Sequence, residues 1–367
     1  MNKPIAIIGA PPDLPIEFPI DYPENSGNMV HANAPHALFK NCIHINKFKE
    51  MGGKNFPAFV NNNCSHLIIT FANSLKLNDS KGEKFSRLQS LLEKISIPII
   101  PIGLGIQSKQ ANIESAELPI EAINLLNFFA NRCQSIGVRG EFTKEVIEKL
   151  SIAKNIQVLG CPSFFTKPEN IFKLHENTTF TIGTPVASWT NYQNEKEIDL
   201  LEQTIKSDHF LIEPVNKFNH QFYIKSLNNT ADSSSTPYFL KSRIDIIELT
   251  NYFKTRYRLF RNLNDWKAFN KEHVSFSYGT RFHVNMASLL SGKPALWITH
   301  DARTEELAKL FALPSLDLDI FHKNARDINI PTLLKSHYSS KAFIDNYRHR
   351  LDIFNSFLKS NNLNIIN

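Results

Sequence analysis

Short apolar runs alternate along the chain with longer stretches whose apolar residues recur every three to four positions. In the first half, the runs Ile5–Ile8, His66–Phe71, Ile97–Ile102, Ser135–Val138 and Gln157–Leu159 read as strands, with helices over Phe85–Ile95, Glu121–Cys133 and Phe142–Leu150. The second half repeats the pattern. Strands are predicted at Phe180–Thr184, His209–Pro214, Tyr257–Phe260, His273–Phe276 and Ala295–Thr299, with helices such as Glu195–Ile205 and Ile244–Phe253 between them. Alternation of this kind predicts parallel, doubly wound sheets. A polar cluster with a proline over Thr166–Asn177 separates the halves, giving one unit over 1–168 and another over 169–335. The tail, 336–367, carries Phe343, Tyr347, Leu351, Phe354 and Leu358 at helical spacing, the stripe of a packing helix. Two stretches break the alternation and read as loops. Ser226–Pro237 is rich in serine and asparagine; Asp13–Asn33 follows the first strand directly and is expected to line a crevice there.

The polar residues gather where strands end. After His273–Phe276 comes Ser277-Tyr-Gly-Thr-Arg-Phe-His283, then a helix predicted over Arg281–Ser291 with Thr280 as its N-cap, Gly292 as its C-terminal cap and Pro294 beyond. Ala295–Thr299 ends in His300-Asp301, and a second helix opens with Arg303. Ligands of parallel sheets bind outside the carboxyl ends of the strands. Arg281 and His283 in a first helical turn would meet an anion together with free N–H groups and the positive end of the helix dipole. Arginine there holds a carboxylate or phosphate at two points. Histidine there is favoured in its neutral form when the site is empty, and a bound dianion pushes it back toward protonation. The plainer alternative is that both are surface residues or satisfied caps. Asp301 likewise reads equally well as a helix cap.

Composition narrows the field. With 367 residues, 42% of them apolar and 21% charged, the chain suits an ordinary two-domain globular protein. No apolar run approaches the ~20 residues a bilayer-crossing helix needs, and the N-terminal apolar run is too short for a signal peptide, so a cytoplasmic location is expected. The net charge of +6 suits an acidic ligand or peripheral contact with an anionic membrane surface and is too small to argue for nucleic acid. Cys42, Cys64, Cys133 and Cys161 have no metal-ligand spacing and are expected to be free thiols. Gly103-Leu-Gly105 follows a strand, but Ser108 stands where a dinucleotide turn has its third glycine; it reads as close backbone approach at the crevice, without NAD.

Four stretches carry a resemblance. Phe276-Ser-Tyr-Gly-Thr-Arg-Phe-His-Val-Asn-Met-Ala-Ser-Leu-Leu-Ser-Gly-Lys-Pro294 resembles the C-terminal motif of the polysaccharide pyruvyl transferase family. Ser135-Ile-Gly-Val-Arg-Gly-Glu-Phe-Thr143 with Val158-Leu-Gly-Cys-Pro162, Asn25-Ser-Gly-Asn28, and Pro101-Ile-Gly-Leu-Gly-Ile-Gln107 are similar to others of its motifs, in the same order along the chain. The resemblance implies a fold of two Rossmann-like domains whose parallel sheets face a cleft, as in GT-B glycosyltransferases, with the C-terminal helix crossing back to the first domain. It implies phosphoenolpyruvate as donor substrate, no cofactor or metal, and a glycan or a lipid- or nucleotide-linked sugar as acceptor. In the reaction implied, protonation of the donor's methylene carbon makes C2 oxocarbenium-like. One sugar hydroxyl attacks, phosphate leaves, and a second hydroxyl closes a ketal.

Carried over residue by residue, the resemblance gives Arg139 and Arg281 the donor's anionic groups and His283 the proton transfer. Thr280, Asn25, Asn28, Gly105, Gln107, His300, Asp301 and Arg303 are candidates for substrate contact. Two alternatives stay open at this stage: a GT-B glycosyltransferase using a nucleotide sugar, and a non-catalytic sugar-binding protein on the same scaffold.

Overall fold

The computed structural model describes residues 3–14, 25–72, 75–77, 82–107, 113, 117–150, 152, 155–180 and 182–363. Two parallel sheets organise it. The first has the order Cys42–His44, Ile5–Ile8, His66–Thr70, Ile99–Ile102. A bridge between Leu104 and Val138 links it to the parallel pair Ile136–Val138 and Ile156–Val158. The second sheet has six strands in the order Tyr257–Arg258, Phe210–Ile212, Thr184–Ser188, Val274–Gly279, Ala295–Thr299, Ser315–Asp317. These strands are short, and their central members are largely buried, because helices cover both faces. The architecture is the α/β two-domain, GT-B-like arrangement that the alternating pattern and the resemblance led one to expect.

Strand order fixes where a ligand fits. In the first sheet the order reverses at Ile5–Ile8, whose neighbours are Cys42–His44 on one side and His66–Thr70 on the other. In the second it reverses between Thr184–Ser188 and Val274–Gly279. Such switch points leave a crevice outside the carboxyl ends of the strands. Gly279 makes the second one possible. Its φ is +131°, and a Cβ there would lie 2.0 Å from the Ser188 carbonyl oxygen. Gly9, just past the first strand, is as tightly placed: a Cβ would meet Thr70 Oγ1 at 1.9 Å.

The structure corrects three local readings. The strand expected at Phe180–Thr184 lies at Thr184–Ser188. Pro185 within it lacks an N–H, and the ladder to Val274–Gly279 shifts register between Val274 and Ser277, next to that proline. The loop expected over Asp13–Asn33 contains a helical turn, Asn28–Ala32, followed by Ala34–Leu38 with Pro35 in its first turn; residues 15–24 lie outside the described part. Thr280 does not cap the helix after it. Arg281 occupies the cap position, the helix runs Phe282–Leu290, and the Thr280 hydroxyl turns instead to Glu197.

The tail helix, Lys341–Ser360, is capped by the Ser340 hydroxyl and buries Phe343, Tyr347, Phe354 and Leu358. Phe354 stacks on Phe165 at 4.4 Å, and Asn361 donates to Ser135 Oγ at 3.1 Å, so this helix packs on the first half of the chain. Phe311 joins the same cluster, stacked on Phe164 at 4.2 Å. All four cysteines are free. Among the described residues no helix is long and apolar enough to cross a membrane.

Candidate active site

Both switch points open into one cavity of about 570 Å³. Its first wall comes from the N-terminal domain: Gly9 and Ala10 after the first strand, Thr70–Ala72, the turn at Asn25–Asn28, His31 and Arg139. Its second wall comes from the C-terminal domain: Thr190, Pro214, Thr280–Val284, His300 and Arg303. Arg139, Thr280, Arg281, His283, Asn25, Asn28, His300 and Arg303, all singled out from sequence, therefore meet in one place. Three other candidates stand apart from the lining. Gly105 donates its N–H to the Ala72 carbonyl at 2.7 Å and braces that turn from behind. Asp301 caps the helix Ala302–Leu310, accepting from the Thr304 N–H at 2.7 Å, and pairs with Arg303 at 2.9 Å. The side chain of Gln107 lies outside the described residues.

The second wall is built on buried carboxylates. Glu213 follows the strand Phe210–Ile212 and is fully buried. It pairs with Arg281 Nη2 at 2.9 Å and accepts from the Tyr192 hydroxyl and the Val215 N–H. Burial raises its pKa above the ordinary carboxyl value, against the pull of Arg281 and of the Tyr192 hydrogen bond. Arg281 also donates through Nε to the Trp189 carbonyl at 2.9 Å. Among the described residues nothing bonds its Nη1, which leaves that nitrogen for a ligand. Glu197, also fully buried, accepts from the N–H groups of Thr190 and Asn191 and from the Thr280 hydroxyl at 2.7 Å. It thereby fixes the loop that carries Thr190 to the strand end that carries Arg281.

The first wall carries buried nitrogen. Arg139 follows the strand Ile136–Val138, donates its N–H to the Leu104 carbonyl at 2.8 Å, and sets its guanidinium 5.8 Å from the centre of the Phe282 ring in the opposite domain. His31 is buried on the turn after Asn28, its ring 5.4 Å from that of His283. Burial, helped by the charge of Arg139, pushes the His31 imidazole down to about 3. His283 is lowered well below the ordinary histidine value by burial first, and then by Arg139, His31 and Arg303. Both imidazoles are thus neutral at pH 7 in the absence of an anion, as the sequence reading expected of His283. His283 Nε2 lies 3.7 Å from the Cys161 thiol, and Cys161 contacts Ser163 Oγ at 3.0 Å.

Backbone N–H groups of the N-terminal domain also tie the walls together. The Ser26 N–H donates to the Pro214 carbonyl at 3.2 Å. Glu306 accepts from the Phe142 N–H at 2.7 Å, so a carboxylate of the C-terminal domain caps the helix Glu141–Lys149 that follows Arg139. Sequence reasoning missed His31, Glu197, Glu213, Cys161 as a histidine neighbour, and Glu306. Glu213 was within reach: it is a carboxylate near the carboxyl end of the strand predicted at His209–Pro214, and a charged residue there is a site signal. The others have no local signature. Among the described residues no group of three His, Cys, Asp or Glu side chains is placed to hold a metal ion.

Against known proteins, the family model described as polysaccharide pyruvyl transferase matches residues 9–302. No curated protein matches the chain. Similar solved structures include Staphylococcus aureus MnaA in complex with UDP, at 12% identity, covering 99% of this chain and 98% of that one with a TM-score of 0.47. HepE of Anabaena in complex with UDP matches at 10% identity, 98% and 100% coverage and a TM-score of 0.46. The UDP-GlcNAc 2-epimerase of Methanocaldococcus jannaschii, in complex with UDP-GlcNAc and UDP, matches at 10% identity, 95% and 98% coverage and a TM-score of 0.43.

Proposed function

The chain belongs to the polysaccharide pyruvyl transferase family and is a transferase, and from that premise we propose that it moves the pyruvyl skeleton of phosphoenolpyruvate onto a sugar as a cyclic ketal. The observation that supports this donor is the convergence of Arg139 from one domain with Arg281, His283 and Arg303 from the other on one cavity whose described lining includes no carboxylate. Arg281 presents Nη1 and Arg139 its guanidinium to the donor's phosphate and carboxylate, charge-assisted contacts made from two sides. The dianion raises the pKa of His283, which takes up a proton and delivers it to the donor's methylene carbon. C2 becomes oxocarbenium-like, and one sugar hydroxyl adds to it and loses its proton. The C2–O bond to phosphate breaks, and a second hydroxyl adds at C2 and loses its proton. One hydroxyl proton balances the one placed on carbon, and the other departs with phosphate. The acceptor is a glycan or a lipid- or nucleotide-linked sugar of a cell-surface polysaccharide, met at the cytoplasmic side of the membrane.

Ligand-induced thermal shift tests the donor directly. Phosphoenolpyruvate is expected to raise Tm, by mass action on the folded state. Stabilisation by nucleotide sugars in its place would move the chain to glycosyl transfer, and a response to glycans alone would make it a sugar-binding protein.

A further inference from the structure

We infer that an aromatic platform at the rim of the C-terminal wall, formed by Phe218 and Tyr238, is the subsite that holds a pyranose ring of the acceptor glycan. The inference rests on the pyruvyl-transfer reading for the identity of its occupant. Phe218 and Tyr238 are large rings left 48% and 56% exposed. A single exposed aromatic needs no explanation, but these two are neighbours, with centroids 5.3 Å apart and planes at 83°. They are also backed by rings that are not exposed. Phe239 meets Tyr238 edge-on at 5.0 Å and stacks on Tyr192 at 4.6 Å with planes 8° apart. Phe239 and Tyr192 are both buried.

This cluster is tied to the proposed donor site by an unbroken chain of contacts. The Tyr238 hydroxyl donates to the Tyr192 carbonyl at 3.4 Å. The Tyr192 hydroxyl donates to Glu213, and Glu213 pairs with Arg281 at 2.9 Å. By sequence the platform also adjoins the cavity lining: Tyr192 is two residues from Thr190, and Phe218 four from Pro214. Both segments leave the carboxyl ends of strands beside the second switch point, where ligands of such sheets bind.

Exposed, braced rings suit a sugar better than a protein helix or an acyl chain. An aromatic face is partially negative and attracts the C–H face of a pyranose, whose hydroxyls stay in water or reach polar groups beyond the ring. The donor alone leaves room for an acceptor in the cavity. At ~30 Å³ for each water, 570 Å³ corresponds to about nineteen waters, whereas phosphoenolpyruvate has ten non-hydrogen atoms. The reacting sugar residue would enter the cavity, with the next pyranose of the glycan on the platform.

The test uses the full chain and the variants Phe218→Ala and Tyr238→Ala, both at exposed positions. An array of hexose and N-acetylhexosamine oligosaccharides reads acceptor binding, anionic phospholipid vesicles are run in parallel, and the phosphoenolpyruvate-induced rise in Tm reads the donor. The wild type is expected to retain at least one glycan, and each variant to bind it about tenfold more weakly. The donor-induced shift should be the same in all three proteins. Glycan binding unaffected by both substitutions would overturn the proposal, as would a wild type that retains no member of the array. Substitution-sensitive binding to vesicles and not to glycans would reassign the platform to a membrane surface. A wild type that shows platform-dependent glycan binding but no response to phosphoenolpyruvate would leave the platform standing and remove the donor assignment.

Discussion

The two walls of the cavity hold their charged groups in different ways. On the C-terminal wall each arginine has a carboxylate of its own: Arg281 is paired with Glu213, and Arg303 with Asp301. Those pairs, with Glu197 under Thr280, make a wall whose geometry is fixed before any ligand arrives. Among the described residues the N-terminal wall lines the cavity with Arg139 and His31, and the carboxylates whose charge acts on Arg139, Glu306 and Asp301, stand on the opposite domain. Where the walls meet, the pKa of both His31 and His283 is lowered, with burial the leading cause and Arg139 the next. On the proposed reading one wall orients a ligand and the other demands an anion. A ligand with two anionic ends answers both.

Substitutions should separate these roles. The largest effect is expected at His283, which touches the reacting atoms in this account. His283→Ala should lower turnover by ~10²–10⁴ while leaving donor affinity near normal, measured as kcat against phosphoenolpyruvate Kd. Next comes the orienting wall. Glu213→Ala leaves Arg281 without its buried partner and should cost about 3 kcal/mol of stability by denaturant unfolding. Glu213→Gln, which keeps the shape and the acceptor for Tyr192, should cost less. An equal loss in both would mean that the pairing with Arg281 is unimportant.

On the demanding wall, Arg139→Gln should weaken phosphoenolpyruvate binding by about 2–3 kcal/mol, the loss of a charge-assisted contact. Arg303→Gln removes a charge already offset by Asp301 and more exposed, so binding should fall by less than about tenfold. Reversal of that order would break the contrast between the walls.

The two histidines where the walls meet predict a pH dependence. His31 and His283 have folded-state pKa values below the ordinary 6.5, so the unfolded chain binds more protons in acid than the folded one. Stability should therefore be fully present above pH 6.5 and fall as pH drops from there toward about 3, the value for His31. Denaturant unfolding at pH 7.5 and pH 5 should differ in that direction, and His31→Gln should flatten the difference.

Much of the fold was legible because several of its strands are short apolar runs. The bounds of Ile5–Ile8 and Ala295–Thr299 follow directly from the sequence pattern. Legibility failed where one residue misleads. Pro185 pushed the predicted strand four residues too early, and with it the loop from Trp189 to Tyr192 was lost from view. The prolines and polar residues of Asp13–Asn33 made the helical turn at Asn28–Ala32 look like loop, which hid His31. Most predicted residues that line the cavity, such as Arg139, Thr280, Arg281 and His300, follow strand ends, where position alone carries information. Glu197 sits inside a helical pattern and Glu306 caps a helix of the other domain, so each has a meaning only after the two domains are assembled.

The central claim is that a dianionic donor binds between the walls and returns a proton to His283. Calorimetric titration of phosphoenolpyruvate at pH 7 in two buffers of different ionisation enthalpy measures that proton uptake. The account predicts that the wild type binds with net proton uptake, and that His283→Ala still binds but takes up fewer protons. No binding by the wild type, or the same uptake in His283→Ala, would contradict it.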